Sequence, residues 1–210
     1  NDASDLQTQT LYGIFDDGST SGIGRDDLLN QAIENEFSAT FDVDNDGVTE
    51  QVTPEGRTIT NKDLNGEDGW YLDLSAGTGE RVISSPTLPS GHPVNRVRFT
   101  TLLPDRDPCG PGRDGFVMDV DLASGGATDD SVFDLNRDGK FDENDKLSNS
   151  TNPKDADGDA VTISSSLVIS GVKSVTQGEQ ATVVLDNAKD LFIGSSIVPV
   201  LPGHDFPDPV

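Results

Sequence analysis

The feature that most constrains the fold is a series of short strand-like runs, each bounded by residues that favour turns. Glycine, aspartate, asparagine, serine and proline separate runs that are rich in β-branched and aromatic residues. The runs are TLYGIF, SATFDV, GWYLDL, ERVISS, RVRFTTLL, GFVMDVD, AVTISSSLVIS and ATVVLD. In the fifth run, Val97, Phe99 and Thr101 alternate with Arg98 and Thr100, which is the period of a strand with one buried face. The sequence therefore predicts an all-β chain of antiparallel strands.

One stretch, residues 25–36 (RDDLLNQAIENE), has the spacing of a helix instead. The apolar residues that would share one face of this helix are Leu28, Leu29, Ala32 and Ile33. Two aspartates, Asp26 and Asp27, stand at its N-terminal end, where negative charge favours a helix. We therefore expect one short helix in the β domain.

The formal net charge of −24 limits the classes of partner. Such a charge repels the phosphate backbone, so the chain is not predicted to bind nucleic acid. Self-repulsion of this size also opposes compaction unless the acidic residues are solvated or are neutralised by cations. No apolar run has the length of a bilayer, so we expect no membrane span.

The acidic stretch FDLNRDGKFDENDKL, residues 133–147, has the spacing of a calcium-binding loop, in which oxygen ligands alternate along the chain and a glycine allows a sharp turn. Counting from Asp134, the predicted ligands are the side chains of Asp134, Asn136, Asp138, Asp142 and Asp145 and the backbone carbonyl of Lys140. Gly139 occupies the turn position, and we expect Phe141 to anchor the loop to the core. Aspartate at the twelfth position, without long flanking helices, resembles the loops of dockerins and bacterial surface proteins; the alternative is a bare acidic turn.

Two further acidic segments are weaker calcium candidates. FDVDNDGVTE offers the side chains of Asp42, Asp44, Asp46 and Glu50 and the carbonyl of Val48. The alternative for it is an acidic hairpin turn. DADGDA offers Asp155, Asp157 and Asp159, with a solvated linker as the alternative. Magnesium suits these loops poorly because it requires near-octahedral geometry and retains water ligands.

The chain divides by composition into three predicted parts. Residues 1–147 form a β domain with an acidic insertion at 35–65, residues 148–160 form an acidic linker or loop, and residues 161–210 form a C-terminal β segment with a proline-rich tail.

No catalytic motif is present in the sequence. Both histidines, His92 and His204, stand beside proline or glycine in predicted turns, and Cys109 lies in a proline-rich turn without a neighbouring histidine. Trp70 and Tyr71 favour a packing role in the sheet over a sugar-binding platform. We therefore predict that the protein acts by binding and assembly and is not an enzyme; a surface glycosidase ranks behind that interpretation.

Several blocks of sequence, in the same order, resemble the C-terminal part of the PilC/PilY family of type IV pilus proteins. The blocks are LYGIFDDG, RDDLLNQAI, GWYLDL with GERVISSPTL, RVRFTTLLPDRDPCGPG with GFVMDVDLASGG, and VFDLNRDGKFDENDKL. They extend over about residues 9–147.

The resemblance implies a calcium-binding, β-propeller-like domain of an extracellular adhesin and biogenesis factor at the bacterial surface or pilus tip. It implies pilus subunits or minor pilins as partners, with a host or surface ligand that the resemblance does not identify. The family's DxDxDxxxD calcium loop is similar to Asp42, Asp44, Asp46 and Glu50 here, with glutamate as the last ligand.

A calcium-stabilised surface or filament protein that assembles with itself is the alternative function. A β-propeller blade needs four strands, so 210 residues hold only a few blades, and an incomplete propeller would expose sheet edges. Copies of the same chain, or further parts of a longer one, are therefore also expected as partners.

Overall fold

A computed structural model defines the fold over most of the first 177 residues and in short stretches beyond them. The described residues are 5–16, 18, 22–42, 51–52, 55–75, 77–90, 95–104, 113–136, 138–155, 157–160, 168–177, 180–182, 190–193 and 196–199. The strands are Thr10–Ile14 (β1), Leu29–Gln31 (β2), Ile33–Asp42 (β3), Gln51–Val52 (β4), Glu55–Ile59 (β5), Gly69–Asp73 (β6), Arg81–Val82 (β7), Arg96–Leu102 (β8), Arg113–Asp121 (β9), Thr151–Lys154 (β10), Gly171–Gln177 (β11), Gln180–Thr182 (β12), Asp190–Ile193 (β13) and Ser196–Pro199 (β14).

The described strands form three sheets. A nine-stranded sheet runs in the order β10-β3-β5-β11-β9-β8-β7, with β4 beside β3 and β12 beside β11. A three-stranded sheet has the order β1-β6-β2, and β13 pairs with β14. Among the described strands, every pairing is antiparallel except that of β2 with β6. The predicted all-β, antiparallel fold is confirmed, whereas the propeller-like arrangement stays a prediction.

The predicted helix at residues 25–36 is wrong. Helical geometry among the described residues is limited to the 3-10 turns Arg25–Asp27, Glu143–Asp145 and Leu147–Asn149. The rest of the stretch enters β2 and β3, because pairing with β6 and β5 satisfies its backbone and outweighs the helical spacing. The alternation of buried Phe37, Ala39 and Phe41 just beyond it continues β3 into the run SATFDV, which was predicted as a strand.

The expectation of a single buried face for β8 is also wrong. All seven residues of Arg96–Leu102 are buried, including Arg98 and Thr100. The strand lies between β9 and β7 and is covered on both faces, and the Arg98 guanidinium is paired with a carboxylate from β9.

All three predicted parts of the chain contribute strands to the nine-stranded sheet. β3, β4 and β5 come from the segment predicted as an acidic insertion, β10 from the predicted linker and β11 from the predicted C-terminal segment. The boundaries at 147 and 160 stay a prediction.

Two apolar clusters form the described core. The first contains Phe37, Ala39, Phe41, Val117, Val132, Phe133, Leu135, Leu147, Ile169 and Val172. The second contains Ile59, Trp70, Leu72, Leu74, Val97, Phe99, Phe116, Met118, Val120 and Ala127. Trp70 is buried, and its Nε1–H donates to the Leu122 carbonyl at 3.1 Å, so the predicted packing role is the observed one. A Cβ at Gly13 or Gly125 would lie within 2.4 Å of the indole ring, so both positions need glycine for the ring to fit.

Candidate calcium site

The loop of residues 133–147 is fixed to the first apolar cluster at both ends. Phe133 and Leu135 enter the cluster from the start of the loop, and Leu147 enters it from the end. These three side chains are between 0% and 5% exposed. Burial of these three large side chains contributes hydrophobic free energy that stabilises both ends of the loop.

The expected anchoring role of Phe141 is not observed. Its side chain is 46% exposed. Phe133, Leu135 and Leu147 already occupy the core beneath the loop, so the aromatic ring at the eighth position remains at the surface.

The first half of the loop is organised by bonds from backbone N–H groups to the predicted ligands. Asp134 Oδ2 accepts from the Gly139 N–H at 3.0 Å, and Asn136 Oδ1 accepts from the Asp138 N–H at 3.2 Å. Asp138 Oδ1 accepts from the Lys140 N–H at 2.8 Å. Gly139 has φ +82°, in the left-handed region where glycine is favoured. The chain thus turns around these side chains in the sense that the sequence spacing predicts.

The second half of the loop contains a 3-10 turn, Glu143–Asp145, that Asp142 caps. Asp142 Oδ1 accepts from the Asn144 N–H at 2.8 Å, and its backbone carbonyl accepts from the Ser131 hydroxyl at 2.7 Å. The turn places Asp145 below the loop, where it is 1% exposed.

Electrostatics differ between the two halves of the loop. Burial raises the pKa of Asp138, but hydrogen bonds from the Lys140 backbone and ammonium together outweigh it and hold this pKa below its usual value. Burial also raises the pKa of Asp145, and there it prevails over the N–H groups of Asp142, Leu135 and Asn136, so the pKa lies above its usual value. The pKa of Asp138 is thus lowered, and that of Asp145 is raised.

The donor set of the loop fits calcium in its chemistry. Carboxylate, amide and carbonyl oxygens are the ligands that Ca²⁺ takes, six to eight at a time. Within the described ranges, however, no three Asp, Glu, His or Cys side chains converge closely enough to hold a metal. Each predicted ligand role in this loop stays a prediction.

The second predicted loop is largely outside the described residues. Asp42 ends β3 and pairs through its backbone with Gln51 of β4. Asp44, Asp46, Val48 and Glu50 lie in residues 43–50, which are outside the described residues. His92, Cys109 and His204 are also outside the described residues.

The third predicted loop forms a backbone-closed turn. Asp155 Oδ1 accepts from the N–H groups of Asp157 at 3.0 Å and Asp159 at 2.9 Å, and the Asp155 N–H donates to the Asp159 carbonyl at 2.9 Å. Asp157 and Asp159 are exposed. The turn is therefore satisfied by its own backbone, and its calcium role stays a prediction.

Two groups of buried, oppositely charged side chains were not predicted from the sequence. Arg57 donates to both carboxylate oxygens of Glu80, at 2.6 and 2.9 Å, and these two side chains are 1% and 0% exposed. Arg96 and Arg98 both donate to Asp119 Oδ2, which is buried in β9. Burial raises the pKa of Asp119, and the two arginines oppose that rise. Asp119 within the apolar run FVMDV is the one local signal that could have revealed such a pair.

Comparisons with known proteins identify the family of this chain. No protein-family model matches the chain. A type IV pilus biogenesis factor PilY1 homolog of Xylella fastidiosa is 34% identical over 134 residues, which are 60% of this chain and 8% of that protein. The type IV pilus biogenesis factor PilY1 of Pseudomonas aeruginosa is 31% identical over 150 residues, which are 67% of this chain and 13% of PilY1. The crystal structure of the P. aeruginosa PilY1 C-terminal domain matches 94% of this chain and 38% of that domain, with a TM-score of 0.65 and 22% identity. The chain belongs to the PilY1 family.

The predicted resemblance to the PilC/PilY family is thereby confirmed, and the match in fold is to the C-terminal domain of PilY1. This PilY1-family chain spans about a tenth of the length of the curated relatives. Among the described residues, none of the helical segments combines the length and the apolar character that crossing a bilayer requires.

Proposed function

We propose that this chain is part of a type IV pilus biogenesis factor that acts by binding and assembly at the bacterial surface or pilus. The observation that carries the proposal is the 31% identity to P. aeruginosa PilY1 over 67% of the chain, together with the match of 94% of the chain to the PilY1 C-terminal fold. An adhesive role, an extracellular location and contact with pilus subunits or minor pilins belong to the same proposal.

Calcium is proposed as the stabilising cofactor, held by the loop of residues 134–145. Asp134, Asn136 and Asp138 with the Lys140 carbonyl and Asp142 would hold it. The cation would supply positive charge that offsets the repulsion among these carboxylates in a chain of net charge −24. The core anchors at Phe133, Leu135 and Leu147 favour this loop over the other two segments, because they fix its ends before any ion binds.

Deleting the coding region for these 210 residues from its gene should reduce surface pili severalfold. Loss of a biogenesis factor limits assembly and not pilin synthesis, so pilin in whole-cell extracts should stay constant. Pili sheared from the cells and counted by electron microscopy provide the measurement. A deletion strain with a normal number of pili would contradict the pilus role.

The double variant Asp134→Ala/Asp138→Ala should bind one calcium ion fewer than the wild type. Each of the two substitutions removes a carboxylate that the loop needs to bind a hard divalent cation. Native mass spectrometry of the purified chain in calcium acetate counts the bound ions.

The matched control for this count is Asp26→Ala/Asp129→Ala, which removes the same charge from two exposed sites outside the loop. It should retain the wild-type number of ions. Equal ion counts for the two double variants would show that the loop holds no calcium.

A further inference from the structure

We infer that Asp145 is a positioning residue, which braces the loop so that Asp134, Asn136 and Asp138 are left to the cation. This inference rests on the proposed calcium site. It assigns to the twelfth position a role different from that of a metal ligand.

The carboxylate of Asp145 joins the start of the loop to its end. Its Oδ1 accepts from the N–H groups of Leu135 at 2.7 Å and Asn136 at 3.2 Å, and its Oδ2 accepts from the Asp142 N–H at 3.0 Å. Three backbone donors from two distant points thus converge on one side chain. Such charge-assisted bonds are among the stronger hydrogen bonds in proteins.

Burial separates Asp145 from the other carboxylates of the loop. Asp145 is 1% exposed, and its Oδ1 accepts from the N–H of the buried Leu135. The side chain of Asp138 is 13% exposed, and its ion-pair partner Lys140 is 71% exposed. Lys140 can move into solvent and release Asp138 to a cation, whereas release of Asp145 would leave three backbone N–H groups to find new acceptors.

The length of the Asp145 side chain is consistent with a positioning role. Helix-loop-helix calcium sites place a bidentate glutamate at the twelfth position, where the long side chain reaches the ion. Aspartate is shorter by one methylene group, so its carboxylate reaches less far from its own backbone. Here that carboxylate meets Leu135, Asn136 and Asp142.

The test compares Asp145→Asn, Asp145→Ala and Asp138→Asn in the full chain, with melting followed by circular dichroism in EGTA and in calcium. In EGTA, Asp145→Ala should lower the melting temperature by roughly 3–12 °C, because bonds to a charged acceptor are lost in a domain of this size. Asp145→Asn keeps one acceptor oxygen and should show a smaller loss. Asp138→Asn should melt like the wild type in EGTA and lose part of the rise that calcium produces.

Three outcomes are distinguishable. Loss of stability in EGTA for the Asp145 variants but not for Asp138→Asn supports the positioning role. Asp145 variants that melt normally in EGTA and lose the calcium-induced rise would overturn it, since Asp145 would then act as a ligand. A wild-type chain that binds no calcium would overturn the proposed calcium function, while a loss in EGTA for Asp145→Ala would still support the brace.

Asp145→Glu distinguishes the two roles, because a ligand role and a positioning role predict opposite effects of this substitution. A longer side chain at the twelfth position should preserve or strengthen calcium binding if the residue is a ligand. It should lower the melting temperature in EGTA if the residue is a brace, because the added methylene group displaces the oxygens from three backbone donors. A Glu variant with wild-type stability in EGTA would contradict the inference.

Discussion

Arg57→Met is expected to lower the free energy of unfolding by about 3–5 kcal/mol, which is the usual cost of removing one partner from a buried ion pair. The substitution leaves the Glu80 carboxylate, 0% exposed, without the guanidinium that binds both of its oxygens. It also removes the contact of the guanidinium with the Phe116 ring, 3.5 Å from the ring centroid. Urea denaturation of the purified chain, followed by fluorescence, measures the change.

The control for this prediction is an exposed ion pair of the same chemistry. Arg25 and Asp73 form a salt bridge with side chains 44% and 40% exposed. Arg25→Met should therefore cost only about 0–1 kcal/mol. The double variant Arg57→Met/Glu80→Met should recover part of the loss, because no uncompensated charge stays buried. Equal effects of Arg57→Met and Arg25→Met would show that burial of the Arg57 pair contributes nothing.

Local sequence pattern was sufficient for some strands and insufficient for others, such as β10 and β11, and for the surroundings of the strands. The runs that contain β1, β6 and β9 carry β-branched and aromatic residues bounded by turns, and the structure places strands there. Residues 25–36 failed because their apolar spacing fits a helix, while the decision between helix and strand depended on partners in β5 and β6. Such partners are distant in the chain, so no local window contains them.

Burial on both faces of a strand was likewise invisible in the sequence. Arg98 and Thr100 of β8 have the polar character of an exposed face, yet both are buried. Arg98 is accommodated because Asp119 lies opposite it in β9, in register. Knowledge of that register, which only the fold supplies, is needed to recognise the pair.

At the candidate calcium site, residue spacing likewise predicted the local turn but not the packing of the side chains around it. The alternation of Asp134, Asn136 and Asp138 before Gly139 was sufficient to predict the turn that the structure contains. Spacing could not reveal that Phe141 is exposed, since the space beneath the loop is filled by other side chains. Nor could it distinguish a buried acceptor of backbone N–H groups from a metal ligand at Asp145.

Removal of calcium with EGTA should lower the melting temperature of the chain by roughly 8–16 °C. Calcium at about a thousand times its dissociation constant contributes about 4 kcal/mol for each site, and each kcal/mol corresponds to roughly 2–4 °C in a domain of this size. Differential scanning calorimetry of one preparation in calcium and in EGTA measures the shift. Magnesium added in place of calcium should restore less of it, because the loop offers flexible protein oxygens and not an octahedral site.

The loop variant, Asp134→Ala/Asp138→Ala, tests whether calcium bound by residues 134–145 causes this shift in melting temperature. Asp134→Ala/Asp138→Ala should reduce the difference between the calcium and EGTA melting curves, since the carboxylates that favour the bound ion are gone. Asp26→Ala/Asp129→Ala, which removes the same charge elsewhere, should keep the full difference. Identical melting curves for the wild type in calcium and in EGTA would refute a structural role for calcium. A full difference that survives in the loop variant would instead assign the ion to another part of the chain, since only a site that binds the folded state more tightly than the unfolded state can raise the melting temperature.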